Sequence, residues 1–370
     1  MTNDPRLTPL AASLPATVPF VGPEAQQRAT GQTFKARLGA NESAFGPSPK
    51  ALRAMRTAAK ESWMYGDPES HDLRQKLAQI HAVTPDNIVV GAGIDGLLDS
   101  LVRLFVTEGI NVVTSAGAYP TFSYHVTGYG GSLHTVKYTA DFEDPDHLIA
   151  KAHEVGARLI YLSNPDNPMG TCHTGQTIQR MIESVPPGSL LVLDEAYIDL
   201  APQGTSPAIN PNDKRVIRMR TFSKAHGMAG ARVGYAIGHA DIISAFNRVR
   251  NHFGMSRISQ AAALAALDDP DWIAQVREKV AEGRERLYEI AEENGLTAVP
   301  SAANFVAIDC GQDGDFARRV VKALADQRIF VRMPFIAPQD RCIRVSVGKP
   351  KDLALFAKAL PAALKAAQTI

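Results

Sequence analysis

Short runs of aliphatic and β-branched residues alternate with helical patterns through most of this chain, and that alternation restricts its fold more than any other feature. The runs are Asn87–Gly91, Asn111–Ser115, Leu159–Ser163, Leu190–Asp194, Val216–Arg220 and Val233–Ile237. Several are apolar almost throughout. A strand buried on one face only would alternate, so continuous runs predict strands covered on both faces, the pattern of a mainly parallel sheet in an α/β fold. Helices fill the gaps. Ser48-Pro49 supplies an N-cap hydroxyl and a first-turn proline for a helix near Lys50–Lys60. A helix near Asp95–Phe105 follows the first strand, and a long amphipathic pattern covers Asp271–Asn294 until Gly295 ends it.

After that helix the order changes. Strand Asn304–Ile308, helix Asp315–Gln327, strands Ile329–Arg332 and Cys342–Val347, and helix Lys351–Gln368 predict a compact second α/β unit. The expected division is an N-terminal arm over 1–40 that joins the small unit, a large domain over 41–267 and a small domain over 268–370.

Bulk numbers exclude several function classes. A net charge of +1 leaves no electrostatic footprint for nucleic acid or an anionic membrane. No apolar run approaches the roughly 20 residues of a membrane-spanning helix. The Pro- and Ala-rich start, Met1 to Pro23, lacks a basic segment followed by an apolar core, so an extended arm is expected there and not a secretory signal. Three widely spaced cysteines, Cys172, Cys310 and Cys342, suit buried thiols in a reducing cytoplasm and neither a disulfide framework nor zinc. The ten histidines show no metal-ligand spacing; His71, His81 and His153 are expected on helix surfaces and His226 in a structural role.

The run Arg220-Thr221-Phe222-Ser223-Lys224-Ala225-His226-Gly227-Met228-Ala229-Gly230-Ala231-Arg232 places a lysine after hydroxyl residues at a strand end and before a Gly-rich turn with a second cation. An amine so placed can form a Schiff base with a carbonyl cofactor while hydroxyls and a guanidinium hold a phosphate. Asp194 ends another apolar strand, where ligands bind in open α/β sheets; it is either a cofactor partner or a helix cap. Ser163-Asn164-Pro165-Asp166-Asn167-Pro168-Met169-Gly170 is a turn at a third strand end, and Gly91-Ala92-Gly93-Ile94-Asp95-Gly96 leads a strand into a helix whose N-terminus could bind phosphate. Arg344 stands between apolar neighbours, as a buried ion pair or an anion clamp, with Arg332 on the preceding strand. Arg341 reads as a solvated edge residue.

Taken together, these motifs resemble the histidinol-phosphate aminotransferase family of fold type I enzymes that use pyridoxal 5'-phosphate (PLP), over Leu38 to Gly348. The resemblance implies a large PLP-binding domain, a homodimer with shared active sites and ping-pong transfer of an amino group from an anionic amine donor to 2-oxoglutarate. Lys224 would bind the cofactor and carry protons, Asp194 would keep the ring nitrogen protonated, and Tyr197 and Asn167 would bond the ring oxygen. Tyr119 would stack on the ring. The phosphate would be held by Gly93, Ile94, Asp95, Thr221, Ser223 and Arg232, and by Tyr65 across the dimer interface. Substrate would meet Phe20, Asn41, Arg332 and Arg344. The chain departs from the family where Phe20 replaces a tyrosine, Ile94 a small residue, Gly117-Ala118 a Pro-Thr pair and Met169 a threonine. The loss of a hydroxyl at Phe20 keeps an aromatic or other amino-acid donor open. A PLP-dependent threonine-phosphate decarboxylase and a non-catalytic regulator of the same fold are further alternatives.

Overall fold

The structure, a computed structural model, describes residues 7–16 and 21–368. Its strands in chain order are β1 Ala36–Arg37, β2 Ile88–Gly91, β3 Asn111–Ser115, β4 Ser132–Val136, β5 Leu159–Ser163 and β6 Leu190–Asp194. They continue with β7 Val216–Thr221, β8 Gly234–Ile237, β9 Thr297–Ala298, β10 Phe305–Asp309, β11 Ile329–Phe330 and β12 Cys342–Ser346. The fold is α/β, as expected, with a seven-stranded sheet in the order β2-β8-β7-β6-β5-β3-β4. All neighbours run parallel except β8, which is antiparallel to both β2 and β7.

β5 and β6 are buried at every residue, which is why their sequence runs are unbroken. Their register sets Ser163 beside Asp194, and Asp194 beside Met219 of β7. The carboxyl ends of three adjacent strands thus share one edge, and each delivers one of the three motifs singled out above. The neighbouring Glu195 turns away from that edge. It is buried between Arg218 (3.1 Å) and Arg220 (2.8 Å) and takes a bond from Ser206. Those cations hold its carboxyl below the usual range despite burial, and the cluster anchors β6 to β7 behind Asp194.

The C-terminal residues build a second core. β10 lies between β9 and β12, antiparallel to both, and β1 pairs in parallel with β11. Leu38 continues this lacing: its N–H donates to Phe330 and its carbonyl accepts from Ser346, both at 2.7 Å. The helix Pro270–Glu293 starts with proline in its first turn and ends before Gly295, at φ +67°.

The structure adds one strand and corrects four expectations. β4, with the pattern Ser-Leu-His-Thr-Val, carries no apolar run because it is an edge strand left partly exposed. β11 stops at Phe330; Arg332 lies beyond it and forms an isolated bridge to Arg344. Arg341 is not a solvated edge residue: it grips both oxygens of Asp141 (3.1 and 2.7 Å) and one of Asp309 (2.7 Å), joining the two cores. His81 is half-buried against the Tyr235 hydroxyl at 3.0 Å, and burial lowers its basicity to about 4. Of the cysteines, Cys310 and Cys342 are buried but Cys172 only partly so.

Gly227, in the turn after Lys224, has φ +67°, and a Cβ there would lie 2.2 Å from the carbonyl oxygen of Gly46. Backbone on both sides leaves no room to yield. Gly227→Ala is therefore expected to cost about 2 kcal/mol or more, read as a lower thermal midpoint in differential scanning calorimetry. An unchanged midpoint would show that the turn can move away from Gly46.

Candidate active site

A crevice of about 370 Å³ opens at the carboxyl ends of β5, β6 and β7 and is closed on its far side by Arg332, Met333 and Arg344 of the C-terminal unit. Lys224 enters it from the turn after β7. Its Nζ donates to the carbonyl oxygen of Asn41 at 3.1 Å and lies 5.4 Å from the Tyr197 ring centre. Asn41 takes the left-handed conformation (φ 53°), which asparagine tolerates better than most residues. That turn lets it reach in three directions: toward Lys224, toward Ser346 through its N–H (3.0 Å) and toward the Tyr197 hydroxyl through Nδ2 (3.2 Å).

Asp194 is buried, and no cation among the described residues bonds it. One oxygen accepts from the Tyr161 hydroxyl at 2.7 Å and the other from the Ala196 N–H at 2.9 Å. The second bond is a local cap, so Asp194 does cap the turn after β6, and it also lines the crevice. Burial pushes its carboxyl up to about 6, against the pull of its two hydrogen bonds and of Lys224. Tyr161 was not among the expected site residues. A tyrosine inside an apolar strand needs a partner for its hydroxyl, and it lies two residues before Ser163, which pairs with Asp194. That combination was the available signal.

Hydrogen-bond donors converge at one end of the crevice. Thr221 and Ser223 share a hydroxyl contact at 3.0 Å, Arg232 Nη1 lies 3.5 Å from Ser223, and its Nη2 lies 3.4 Å from Asp95. The helix Gly93–Phe105 begins beside them. Gly93 has φ +75°, and a Cβ there would sit 2.4 Å from Arg232 Nη2, so only glycine lets the guanidinium lie against this helix start. Hydroxyls, a guanidinium and free N–H groups at a helix N-terminus form an anion site. Ile94 and Asp95 line it, and the Tyr119 hydroxyl donates to Asp95 at 3.1 Å.

The remaining expected residues divide. Asn167 faces the Tyr197 hydroxyl at 3.5 Å and accepts a short bond from Arg344 Nη1. Arg344 Nη2 lies 3.4 Å from the Gly39 carbonyl, whereas its buried Nε has no partner. Burial lowers its basicity to about 10, which leaves it cationic at neutral pH. Arg332 is half-buried at the rim and donates to the Val21 carbonyl at 2.9 Å. Tyr65 does not reach the crevice of its own chain; it is 77 % exposed and packs on Phe253 at 4.7 Å. Phe20 lies outside the described residues. His226 packs against Phe222 with tilted rings at 4.7 Å, away from the crevice lining.

PLP carries a carbonyl carbon, a ring nitrogen, a ring oxygen and a phosphate. The crevice offers a primary amine, a buried carboxylate free of cation partners, a tyrosine hydroxyl between two amides, and an anion site. The residues present fit the group.

Comparison with known proteins agrees with this geometry. The chain belongs to the class I and II aminotransferase family, whose model matches residues 34–360. Within that class it is similar to the histidinol-phosphate aminotransferase of Moorella thermoacetica, 32 % identical over 96 % of this chain and 92 % of that one. It is also similar to histidinol-phosphate aminotransferase 2 of Pseudomonas aeruginosa, 35 % identical over 88 % of each. Among solved structures, the histidinol-phosphate aminotransferase of Sinorhizobium meliloti in complex with PLP superposes with a TM-score of 0.95. It is 50 % identical and covers 97 % of this chain and 98 % of that one. A Thermus thermophilus aspartate aminotransferase, 23 % identical with a TM-score of 0.77 over 90 % of this chain and 94 % of its own, shares the fold alone. No helix among the described residues is long and apolar enough to cross a membrane.

Proposed function

We propose that this chain is a PLP-dependent aminotransferase that takes the amino group of histidinol phosphate and passes it to 2-oxoglutarate in a ping-pong cycle. One observation carries the reading: the Lys224 amine, the Asp194 carboxylate and the anion site around Arg232 meet in one crevice, facing Arg344 with its unpaired Nε. PLP, when bound, supplies an electron sink for the substrate carbon. Lys224 holds the cofactor covalently and moves the proton between the two reacting carbons through its Nζ. Asp194 keeps the ring nitrogen protonated by charge. Tyr197 and Asn167 hold the ring oxygen, and Tyr119 covers the ring. Thr221, Ser223, Arg232 and the backbone of Gly93, Ile94 and Asp95 anchor the phosphate.

The protein acts as a cytoplasmic homodimer in this reading. The exposed aromatic pair Tyr65 and Phe253, with exposed Trp63 two residues earlier in the chain, supports the dimer, because apolar surface of this kind marks an interface; Tyr65 would reach the neighbouring phosphate site. Three free cysteines suit the cytoplasm. The large domain is 41–267 and the small domain is 268–370 with the arm 1–40, a division supported by a core cluster built mostly from arm and C-terminal residues, apart from the one on the central sheet.

Identity of fold does not select the donor. The rim residue Phe335, 73 % exposed beside the crevice, favours a second reading in which an aromatic amino acid is the donor. A single-turnover experiment separates the two. The yellow holoenzyme is mixed with histidinol phosphate and with aromatic, acidic and basic amino acids, and loss of its absorbance is followed. Histidinol phosphate is expected to react fastest; faster reaction with an aromatic amino acid overturns the first reading in favour of the second.

Arg344 is the carboxylate clamp in both. Arg344→Ala is expected to lower kcat/KM for 2-oxoglutarate by about 10- to 100-fold, the worth of a charge-assisted bond. Reaction with neutral amines should change little. Equal loss on both would assign Arg344 a structural role.

A further inference from the structure

Behind the loop that carries Asn167 lies a pair of carboxyl groups for which amino transfer has no direct use. Glu143 and Asp166 are 1 % and 2 % exposed, and their carboxyls lie close enough to act on each other. Glu143 Oε2 accepts from the Ser115 hydroxyl at 2.6 Å, at the end of β3, and Oε1 from the Ser163 N–H at 2.9 Å, at the end of β5. Asp166 Oδ1 accepts from the Tyr138 hydroxyl and Oδ2 from the Met169 N–H, both at 2.9 Å. All four donors are neutral, and among the described residues no cation bonds either acid. His173 touches only the Glu143 backbone carbonyl, at 2.8 Å. Two adjacent carboxylates in such a site would repel, so one proton must stay between them.

We propose that Glu143 and Asp166 are positioning residues: Glu143 staples the ends of β3 and β5, and the proton it shares with Asp166 fixes the loop that presents Asn167 to Arg344 and Tyr197. The staple joins the segment leading to Tyr119 to the segment leading to Asn167, so both would hold the same geometry against the cofactor ring. Burial raises both acids, and the charge of Asp166 raises Glu143 further. The groups facing the pair are Tyr138 after β4, Tyr161 on β5, His173 after the loop and Arg344 on β12. Arg344 is the one fixed charge among them, and its guanidinium is engaged by Asn167.

A raised carboxyl contributes stability below its unfolded value and loses it as pH rises through its folded value. The pair should therefore weaken the protein on the alkaline side. Glu143→Gln tests this, because its amide donates to Asp166 at any pH and the Ser115 hydroxyl can turn to accept from it. Glu143→Leu fills the space without a proton.

The infrared spectrum of the wild-type holoenzyme at about pH 7.5 is expected to show a protonated carboxylic acid band that Glu143→Gln lacks. As pH rises into the alkaline range the thermal midpoint should fall more steeply in wild type than in Glu143→Gln. Glu143→Gln should keep most of kcat at neutral pH, while Glu143→Leu loses up to the order of 10²-fold in kcat/KM for 2-oxoglutarate. A wild-type spectrum without the band, parallel pH slopes, or Glu143→Leu behaving as Glu143→Gln each overturns the proposal. Its kinetic arm rests on the aminotransferase reading. If that reading fails, wild type shows no turnover, yet the infrared band and pH slopes still decide the shared proton.

Discussion

Lys224→Ala is expected to abolish amino transfer and to leave PLP held by non-covalent contacts alone. Borohydride treatment of wild type should fix the cofactor to the peptide containing Lys224, and the same treatment of the variant should leave all PLP releasable on denaturation. Lys224 is the sole lysine lining the crevice among the described residues, so no neighbouring amine can substitute. The other cationic side chains of the crevice, Arg232, Arg332 and Arg344, are guanidinium groups, which donate hydrogen bonds and offer no acceptor for a proton from carbon. Loss of general acid–base transfer alone is worth roughly 10²–10⁴-fold, and loss of the covalent route adds to it. The fold should survive. The Asn41 carbonyl that Lys224 bonds also accepts from Asn304 Nδ2 at 3.1 Å, so the deletion orphans no buried acceptor. An adduct trapped in the variant would exclude Lys224 as the cofactor lysine.

Lys224 was legible because the chemistry around it is local in sequence. Thr221, Ser223, Lys224 and Arg232 fall within twelve residues that leave one strand and enter the next, so the order of residue types already describes the site. β5 and β6 were equally plain, with bounds at Leu159–Ser163 and Leu190–Asp194, because full burial erases any alternation. β4 escaped for the opposite reason: an edge strand has one neighbour, and His134 and Thr135 can stay wet.

Contacts between distant residues left no pattern to read. Arg341 looks like a rim residue until Asp141, two hundred positions earlier, is folded against it. Glu143 reads as one more acid before a helix, yet it is buried because Ser115 and Ser163 close over it from two strands. Tyr65 is a different case. Its expected role depends on a second copy of the chain, and no arrangement within one chain brings its ring to the crevice.

Asp194→Asn is expected to lower turnover by several orders of magnitude while making the cofactor-free protein more stable at neutral pH. Both effects come from one buried charge. The Asp194 carboxyl is raised to about 6 in the fold, so its neutral form contributes stability that is fully present below its unfolded value and is lost as pH rises through about 6. Above that pH an ionised carboxylate sits in a buried place without a bonded cation, at a cost on the order of 3 kcal/mol. In the proposed role of Asp194, a protonated cofactor ring would be the cation that offsets this cost, and the same charge would keep the ring proton in place. Asparagine keeps the shape. Its oxygen can accept from the Ala196 N–H and its amide can donate to the Tyr161 oxygen, so neither neighbour is left unpaired. The thermal midpoint of the cofactor-free variant should exceed that of wild type at about pH 7.5, with the advantage shrinking below about pH 6. Near wild-type turnover in Asp194→Asn would remove Asp194 from the chemistry. A lower midpoint without cofactor would show instead that the carboxylate is stabilised by the fold itself, and that burial here stores nothing for the ring to release.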